Sequence, residues 1–334
     1  MKRITAVDIG ASSIKAISGS VSGESISAEQ VIYIPYRSFI YKENTLKEYS
    51  FNDFYFESRD ALKNALNKLN DRIPADSFAA FTFNSVFTSV YSKKIKAKNK
   101  RAIRYAADIL LNKIDDDNSN TDYQTICFDK SLQEAEIMLY SYKFQPFGEL
   151  KEAVKTFEGK EVFTEFDSLA LLNFYEYRNL LSEENIILDI GESKTVLMYL
   201  ENKRLRNAET LNLNCRNMFA SISNRLNVSI YDTEMDLQKN RDLMKISKGI
   251  ITDNLSRFAV QISEMLKKQE YFSEEKDIFV SGGLLNNDLF FEMLKENLPA
   301  IKRIYLPEAK LAYNNRKYGF LTCMGLFFEL KERI

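Results

Sequence analysis

Two short segments of the same pattern have the composition of an anion-binding turn. Residues 8–13 (DIGASS) and residues 189–194 (DIGESK) each follow an apolar stretch and precede an alternating one. A glycine in a tight turn lets backbone amides approach an anion without interference from a Cβ atom. The hydroxyl groups of Ser12, Ser13 and Ser193 can add further donors. Two such turns that faced each other would hold a triphosphate from both sides.

Charged side chains lie next to both turns. The carboxylates of Asp8 and Asp189 could hold Mg²⁺ through water, because this cation prefers oxygen ligands. Lys15 and Lys194 could offset the charge of a phosphate, although exposed lysines are equally common at such positions. A third turn, residues 281–283 (SGG), joins an apolar strand to a predicted helix and permits close approach by a ribose or a phosphate. The candidate ligand-binding residues are therefore Asp8, Gly10, Ser12, Ser13, Lys15, Asp189, Gly191, Ser193, Lys194, Gly282 and Gly283, with Asp8 and Asp189 as candidate metal ligands.

The composition excludes several classes of active site. The chain of 334 residues contains no histidine, which excludes Ser-His, Cys-His and His-metal chemistry. Its three cysteines, Cys127, Cys215 and Cys323, are far apart, so neither a disulfide framework nor a zinc ribbon is expected, and a reducing compartment fits. A net charge of −1 gives no bulk electrostatic case for binding nucleic acid or an anionic membrane.

The repeated motif indicates a duplicated domain. Apolar strands are predicted at residues 4–7 and 186–188, and alternating strands at 13–18 and 195–200, so both turns lie in the same strand–turn–strand context. Asp-x-Gly turns join many hairpins, so a single copy would mean little. Two copies, one near the start of each half, favour duplication. The length fits two domains by the soft prior of ~150 residues each.

A smaller unit interrupts the first half of the chain. Residues 86–157 are predicted to form a strand–helix–strand–strand–helix unit. Its acidic run, residues 115–122, fails as a Ca²⁺ loop because neither register puts Gly sixth and Glu twelfth, and is predicted to be a solvated loop. Further helices are expected around residues 62–69, 215–226, 252–270, 288–297 and 318–331, with Asn286 or Asn287 as the N-cap of the helix at 288–297.

Neither end of the chain carries an obvious membrane signal. The charged start, residues 1–3, leads directly into a strand and no long apolar region follows. The late apolar stretch at residues 319–330 is shorter than the ~20 residues that span a bilayer. We therefore expect a cytoplasmic protein.

The order of the three turns resembles that of a known superfamily. Residues 8–10 (DIG), 189–191 (DIG) and 281–283 (SGG) resemble the phosphate 1, phosphate 2 and adenosine motifs of the actin/Hsp70/sugar-kinase superfamily. Within it, the chain resembles the PilM family of type IV pilus assembly proteins, in the FtsA/PilM branch. The segments that carry this resemblance are the opening hairpin at 8–15, the strand–break–strand at 78–93, the connecting segment at 165–172 and the last helix at 318–326.

The resemblance implies an α/β, actin-like two-lobed fold of duplicated ribonuclease H-like domains around a nucleotide cleft, with a small inserted α+β subdomain. The implied domains are a first lobe at 1–84, 163–184 and 318–334, an inserted subdomain at 85–162, and a second lobe at 185–317.

The resemblance also implies a function. The family's members are cytoplasmic scaffolds of an inner-membrane pilus assembly complex, and they bind the N-terminal cytoplasmic tail of an inner-membrane protein. The chain would thus be peripheral to the inner membrane through a protein partner, without direct membrane insertion and without nucleic acid. Self-association is left open. A groove between the inserted unit and the first lobe would suit such an extended peptide.

Two departures from the family pattern predict a weak ATP and Mg²⁺ site and, at most, a slow or degenerate ATPase. Leu284 replaces the third adenosine-loop glycine, which would cost roughly 1–2 kcal/mol if the position needs a left-handed backbone. Glu192 replaces a small residue, and a carboxylate ~4 Å from a phosphate charge costs about 4 kcal/mol at an effective dielectric of 20.

Two alternatives share the fold. A type II secretion component would normally continue into a membrane span. A small-molecule kinase needs a carboxylate as general base beside the nucleotide, and the candidates are Asp167, Asp189 and Asp253. Neither alternative has its own signature in this sequence.

Overall fold

The computed structural model describes most of the chain. The described residues are 2–10, 13–22, 25–35, 59–114, 118–157, 162–211, 214–239, 248–268, 277–297, 304–305 and 317–333. Ser12, one of the candidate ligand-binding residues, lies outside them.

The described strands and helices largely follow the predicted pattern. In chain order the strands are β1 (Lys2–Ile9), β2 (Ser13–Ser22), β3 (Ser25–Pro35), β4 (Ser77–Phe83), β5 (Thr88–Lys96), β6 (Ser119–Asp129), β7 (Glu134–Lys143), β8 (Val162–Phe166), β9 (Glu184–Ile190), β10 (Thr195–Glu201), β11 (Arg204–Leu211), β12 (Asp277–Ser281) and β13 (Ile304–Tyr305). The helices are α1 (Arg59–Asn70), α2 (Lys100–Leu111), α3 (Phe144–Val154), α4 (Asp167–Tyr177), α5 (Cys215–Leu226), α6 (Ile230–Lys239), α7 (Lys248–Lys267), α8 (Asp288–Asn297) and α9 (Leu321–Arg333).

Five strands form the first sheet, in the order β3-β2-β1-β4-β8. Strand β1 is antiparallel to β2 and parallel to β4, and β4 is parallel to β8. Ile4 and Ala6 of β1 face a core with α4 and α9, whereas Val7 and Ile9 face a second core with α1 and α3. A strand that is buried on both faces reads as a nearly continuous apolar run, which is why β1 was predictable. We call this sheet with α1, α4 and α9 the first lobe; α3 packs on it but belongs to the inserted unit described below.

The second sheet begins with the same arrangement. Its order is β13-β12-β9-β10-β11-β5-β7-β6, and β9 is antiparallel to β10 and parallel to β12, as β1 is to β2 and β4. Each sheet thus places its strands in the order third, second, first, fourth, fifth. This repetition confirms the predicted duplicated fold. We call strands β9–β13 with α5–α8 the second lobe.

The inserted unit joins the two lobes. Elements β5, α2, β6, β7 and α3 lie in the chain between β4 and β8, in the predicted order. Strand β5 also pairs with β11, through Tyr91 with Asn207 and Val90 with Ala208, so the insert extends the sheet of the second lobe. The insert is therefore covalently part of the first half but hydrogen-bonded to the second, which the sequence did not predict.

Buried ion pairs reinforce this junction. Glu136 of β7 is 3% exposed, and it accepts hydrogen bonds from Arg204 at 2.7 Å and from Arg206, both on β11. Arg206 also donates to Ser92 of β5 at 3.4 Å. A buried carboxylate with two arginine partners holds the strands of the insert against β11 within this sheet, because separation would leave its charge unpaired.

Helices α4 and α9 pack unusually closely. A Cβ atom at Gly325 of α9 would lie 1.8 Å from the carbonyl oxygen of Ala170 in α4, so only glycine permits this approach. This agrees with the small residues that the sequence shows in its last helix. None of the helices within the described ranges is long and apolar enough to cross a membrane.

Two local predictions were wrong. The acidic run at 115–122 was predicted to be a loop, but residues 119–122 begin β6, whose Asn120 and Asp122 lie opposite Tyr142 and Tyr140 of β7; residues 115–117 lie outside the described part. Helix α6 was not predicted, because its buried face is formed by Thr233, Glu234 and Leu237 and is therefore largely polar.

Candidate functional site

The two hairpin turns of the repeated motif line one cleft between the lobes. Gly10 donates its backbone N–H to the carbonyl of Ser13 at 3.0 Å, and Gly191 donates to that of Lys194 at 2.8 Å, so the same backbone hydrogen bond closes both turns. The cleft contains about 930 Å³ of space, including the part open to solvent.

Nearly all candidate residues meet in this cleft. Apart from Ser12, which lies outside the described residues, the candidates from all three turns are part of its wall. They are Asp8, Gly10, Ser13, Lys15, Asp189, Gly191, Ser193, Lys194, Gly282 and Gly283. Asp167, which the sequence analysis named only as a candidate kinase base, also lines the cleft. Sequence reasoning did not place five further polar lining residues in the site, which are Tyr33, Asn84, Glu234, Asn286 and Thr322.

The first hairpin holds a paired lysine. Lys15 Nζ lies 3.0 Å from Asp8 Oδ2, and the two residues are direct partners across β1 and β2. Asp8 Oδ1 accepts a further hydrogen bond from Thr82 at 3.1 Å. Burial lowers the pKa of Lys15, but the Asp8 carboxylate outweighs it, so the pKa lies above its ordinary value and the ammonium is charged.

The second lysine connects the two lobes. The Lys194 side chain is 9% exposed; its Nζ donates to Asp167 Oδ2 and, at 2.5 Å, to Ser85 Oγ. Asp167 is the first residue of α4, and its Oδ1 accepts the backbone N–H of Ser85 at 2.9 Å. The second hairpin is thus tied to the first lobe and to the entry of the insert. We call this arrangement the Lys194 bridge.

The other motif carboxylate is more isolated from positive charge. Asp189 Oδ1 accepts a hydrogen bond from Ser281 at 2.7 Å, at the end of β12. Burial raises the pKa of Asp189, and the Ser281 hydrogen bond and the Lys194 charge only partly oppose this. The residue opposite Asp189 on the neighbouring strand is Val196, whereas the residue opposite Asp8 is Lys15, so the second hairpin lacks the ion pair of the first.

The cleft carries more acids than bases. Burial raises the pKa of the Cys215 thiol well above its ordinary value, and the nearby carboxylates of Glu192 and Glu234 raise it further. Glu192 therefore lies in the cleft wall near other buried groups. The acids of the wall are Asp8, Asp167, Asp189, Glu192 and Glu234, and its bases are Lys15 and Lys194. The net charge of the side chains around a bound phosphate would therefore be negative, and this would oppose binding unless a cation bound together with the phosphate.

The third turn requires glycine at one position. Gly282 has φ +119° and ψ 160°, and a Cβ there would lie 2.0 Å from the carbonyl oxygen of Ile190. The prediction of backbone strain at Leu284 is wrong. Leu284 does not have a positive φ, and it lies in a 3₁₀ turn, Gly283–Asn286. Asn287 accepts the N–H of Leu289 at 3.1 Å, which confirms it as the cap of α8.

The described residues show no ready-made metal cage. No group of three or more acidic or cysteine side chains among them could hold a metal ion. Asp8 accepts hydrogen bonds from Thr82 and Lys15, and Asp189 accepts one from Ser281. Of the kinase candidates, Asp167 is held by Lys194, and Asp253 is exposed on α7 and does not line the cleft.

Comparison with known proteins agrees with this geometry. No protein-family model and no curated protein matches the chain. Among solved structures, the "PilM-PilN type IV pilus biogenesis complex" superimposes with a TM-score of 0.69 over 98% of this chain and 98% of that chain, at 13% identity. The protein has the two-lobed actin-like fold of PilM.

Two other solved structures share the PilM-like fold more distantly. The ethanolamine utilization protein EutJ from Carboxydothermus hydrogenoformans has a TM-score of 0.56 and 12% identity, with 98% of this chain and 90% of that chain covered. A ROK family glucokinase from Streptomyces griseus, in complex with glucose and AMPPNP, has a TM-score of 0.50 and 11% identity, with 99% and 100% covered. At such identities the likeness establishes the fold alone.

Proposed function

We propose that the protein is an actin-like scaffold of a type IV pilus, or related secretion, assembly complex at the inner membrane. The observation that carries this proposal is the match to PilM over 98% of both chains, which includes the inserted unit. That PilM forms a complex with PilN. By analogy, this chain would lie on the cytoplasmic side and bind the N-terminal tail of a membrane protein.

An aromatic seam is the proposed position of that tail. It lies where the insert meets the end of the first sheet: Tyr142 contacts Phe147 with ring centroids 4.8 Å apart, Phe147 contacts Phe83 at 5.2 Å, and Tyr140 contacts Phe166 at 5.9 Å. Among the described strands, β8 is the last strand of the first sheet, and a peptide that lay along the seam there would use the strand-addition mode, in which main-chain pairing gives affinity. An extended apolar peptide would add backbone hydrogen bonds there and bury its side chains against the rings.

The scaffold proposal is tested by peptide binding. Phe144 and Val162 begin the two elements that flank the seam, and they are 47% and 40% exposed. We expect a combined Phe144→Glu and Val162→Glu variant to bind the tail at least about tenfold more weakly, because each carboxylate would lose water on docking. The probe is a labelled peptide with the sequence of the N-terminal cytoplasmic tail of the candidate membrane partner, and fluorescence anisotropy follows its binding.

Val260→Glu is the matched control for this experiment. Val260 is a similarly exposed apolar residue, 38%, on α7 of the second lobe. Its variant should bind the peptide as the unaltered protein does. Equal loss in both variants, or no loss in the double variant, would show that the tail binds elsewhere.

We further propose that the cleft is a weak regulatory nucleotide site. The turns at Gly10 and Gly191 and the ammonium groups of Lys15 and Lys194 suit a phosphate chain, whereas Glu192 opposes it. A Mg²⁺ ion that accompanied the nucleotide would screen phosphate charge from the acids. Asp8 and Asp189 would hold it through water.

The nucleotide proposal predicts the effect of removing one acid. We expect Glu192→Gln to bind Mg-ATP at least about tenfold more tightly, because a charge ~8 Å from a phosphate costs about 2 kcal/mol at an effective dielectric of 20. Isothermal titration calorimetry measures the change. Glu209→Gln, an exposed position on β11 of the same lobe, is the control and should leave affinity unchanged. Unchanged affinity in Glu192→Gln would place the phosphates away from this carboxylate.

A further inference from the structure

The inserted unit carries an unusually dense basic segment. Residues 93–104 (KKIKAKNKRAIR) span the end of β5 and the start of α2, and they contain no acid. All of the basic side chains in this segment are exposed, and within the described ranges none has a carboxylate as an ion-pair partner. They are Lys93, Lys94, Lys96, Lys98, Lys100, Arg101 and Arg104. We call this set the basic patch. In β5, Lys93 lies on the side of the sheet that α2 covers, and Lys94 and Lys96 lie on the other side, so the basic patch surrounds the end of β5 and the segment that leads into α2.

The acids that the structure places beside the patch do not neutralise it. Glu134 and Glu136 of β7 lie opposite Lys96 and Lys94. Glu136 is already bonded to Arg204 and Arg206 of β11. Asp129 of β6 lies opposite Glu134 and accepts hydrogen bonds from Ser131 and Leu132. Asp108 is an exposed acid on α2 itself.

The placement of the charge is unfavourable for the helix itself. The first turn of α2 contains Lys100 and Arg101 and has no acid, although the N-terminus of a helix carries partial positive charge. Asn99 caps the helix through the N–H of Ala102 at 3.0 Å, which satisfies one donor but adds no negative charge. Because these bases destabilise the N-terminus of α2, we attribute their presence to a role in binding an anion.

Protruding apolar side chains accompany the patch. Tyr105 of α2 is 69% exposed and Leu132 of the β6–β7 turn is 65% exposed, and these are the two most exposed large apolar residues described. Ile109 follows Tyr105 by one turn and is 43% exposed. The backbone N–H of Ala97 donates to Gln133 at 2.7 Å, which places the β6–β7 turn beside the basic segment.

We propose that the basic patch docks the inserted unit directly onto an anionic membrane surface. Lysines attract acidic headgroups from within a Debye length, and aromatic or aliphatic side chains beside them enter the interfacial region. A nucleic acid would instead favour several aromatic platforms, and the patch has only Tyr105. The net charge of the whole chain gave no reason to expect binding to an anionic membrane. The local charge of the basic patch does give such a reason. This inference does not rest on the proposed function, because it needs no protein partner.

Vesicle sedimentation with the purified full chain tests the proposal. We expect binding to phosphatidylcholine vesicles that contain about a third phosphatidylglycerol, and none to pure phosphatidylcholine vesicles, with loss of binding between about 0.05 M and 0.5 M salt. Equal binding to both vesicle types, or no binding to either, would overturn the proposal. Neither result would bear on the peptide and nucleotide experiments.

Charge removal locates the site on the chain. The variant with Lys93, Lys94, Lys96 and Lys98 all changed to Gln is expected to bind about 600-fold more weakly, because each of the four bases contributes about fivefold near an anionic surface. The control removes the same charge from exposed positions on α1 and at the end of α7, through Lys63→Gln, Lys68→Gln, Lys267→Gln and Lys268→Gln. Circular dichroism checks that both variants fold. Similar losses in the two variants would contradict the assignment to the patch.

The apolar contribution is tested separately. Tyr105→Ser combined with Leu132→Ser keeps every charge and should reduce binding to the anionic vesicles about tenfold, since each exposed side chain loses its burial in the interface. A short oligonucleotide and a polyglutamate peptide serve as competing anions. If either displaces the vesicles at matched charge concentration while the Tyr105 and Leu132 variant binds them normally, the patch serves a soluble polyanion and the membrane proposal fails.

Discussion

Replacing Gly282 by alanine is expected to lower the free energy of unfolding by about 3–5 kcal/mol. Its backbone, with φ +119° and ψ 160°, lies in a region that is essentially restricted to glycine and costs other residues roughly 1–3 kcal/mol. The new Cβ would also lie 2.0 Å from the carbonyl oxygen of Ile190, and such overpacking adds about 1–3 kcal/mol. Because the neighbouring atom is backbone of β9, no side-chain rotation can relieve the contact. Urea unfolding followed by circular dichroism measures the loss.

The same substitution at Gly148 is the control. Gly148 lies inside α3, and a Cβ there would meet nothing within 4 Å. Alanine at this position should raise stability by about 0.5–1 kcal/mol, because glycine is a poor residue in a helix interior. If Gly282→Ala were as well tolerated as Gly148→Ala, the close packing of the third turn on β9 would be wrong.

The hairpins could be predicted because their signals are local. The residues of β1 and β2 are adjacent in the chain, the glycine lies between them, and each strand shows its own apolar pattern. The duplication then followed from comparing two such segments. Helix α8 was equally local, since its cap Asn287 directly precedes it.

The junction between β5 and β11 could not be predicted in this way. It comprises two residue pairs between segments that are far apart in the chain, and Val90 and Ala208 would suit many neighbours. The buried Glu136 gave no signal either, because it becomes buried only through arginines that β11 supplies. Long-range pairing of this kind leaves no pattern within one strand.

Several features of the cleft could not be predicted from the types of single residues. Asp167 resembled any acid at the start of a helix, a common and favourable position, and only the fold brings Lys194 to it. Leu284 was expected to be strained because a glycine had been replaced, but residue type alone does not fix the backbone conformation. The sequence left open whether Lys15 and Lys194 are exposed to solvent or lie in the cleft. In the structure both line the cleft, and each is paired with a carboxylate.

The Lys194 bridge is expected to make the second large contribution to stability. Lys194→Met leaves the Asp167 carboxylate, 14% exposed, without its cation, and should cost about 3 kcal/mol, near the lower end for a broken buried pair. Asp167→Asn keeps an acceptor for the Ser85 N–H and should cost about 2 kcal/mol, mainly because the Lys194 ammonium is then unpaired. The exposed pair of Lys155 with Glu152 is the control, and Lys155→Met should cost ~0.5 kcal/mol or less.

The double variant separates an interaction from two independent losses. If the bridge holds the lobes together, Lys194→Met combined with Asp167→Asn should lose less than the sum of the single variants by about 1–3 kcal/mol, because the second substitution removes a charge that the first had already stranded. Urea unfolding of all four proteins completes this cycle. Strictly additive losses would mean that the two side chains do not stabilise each other. The β5–β11 junction, with Glu136 between its arginines, would then be what fixes the second lobe against the first.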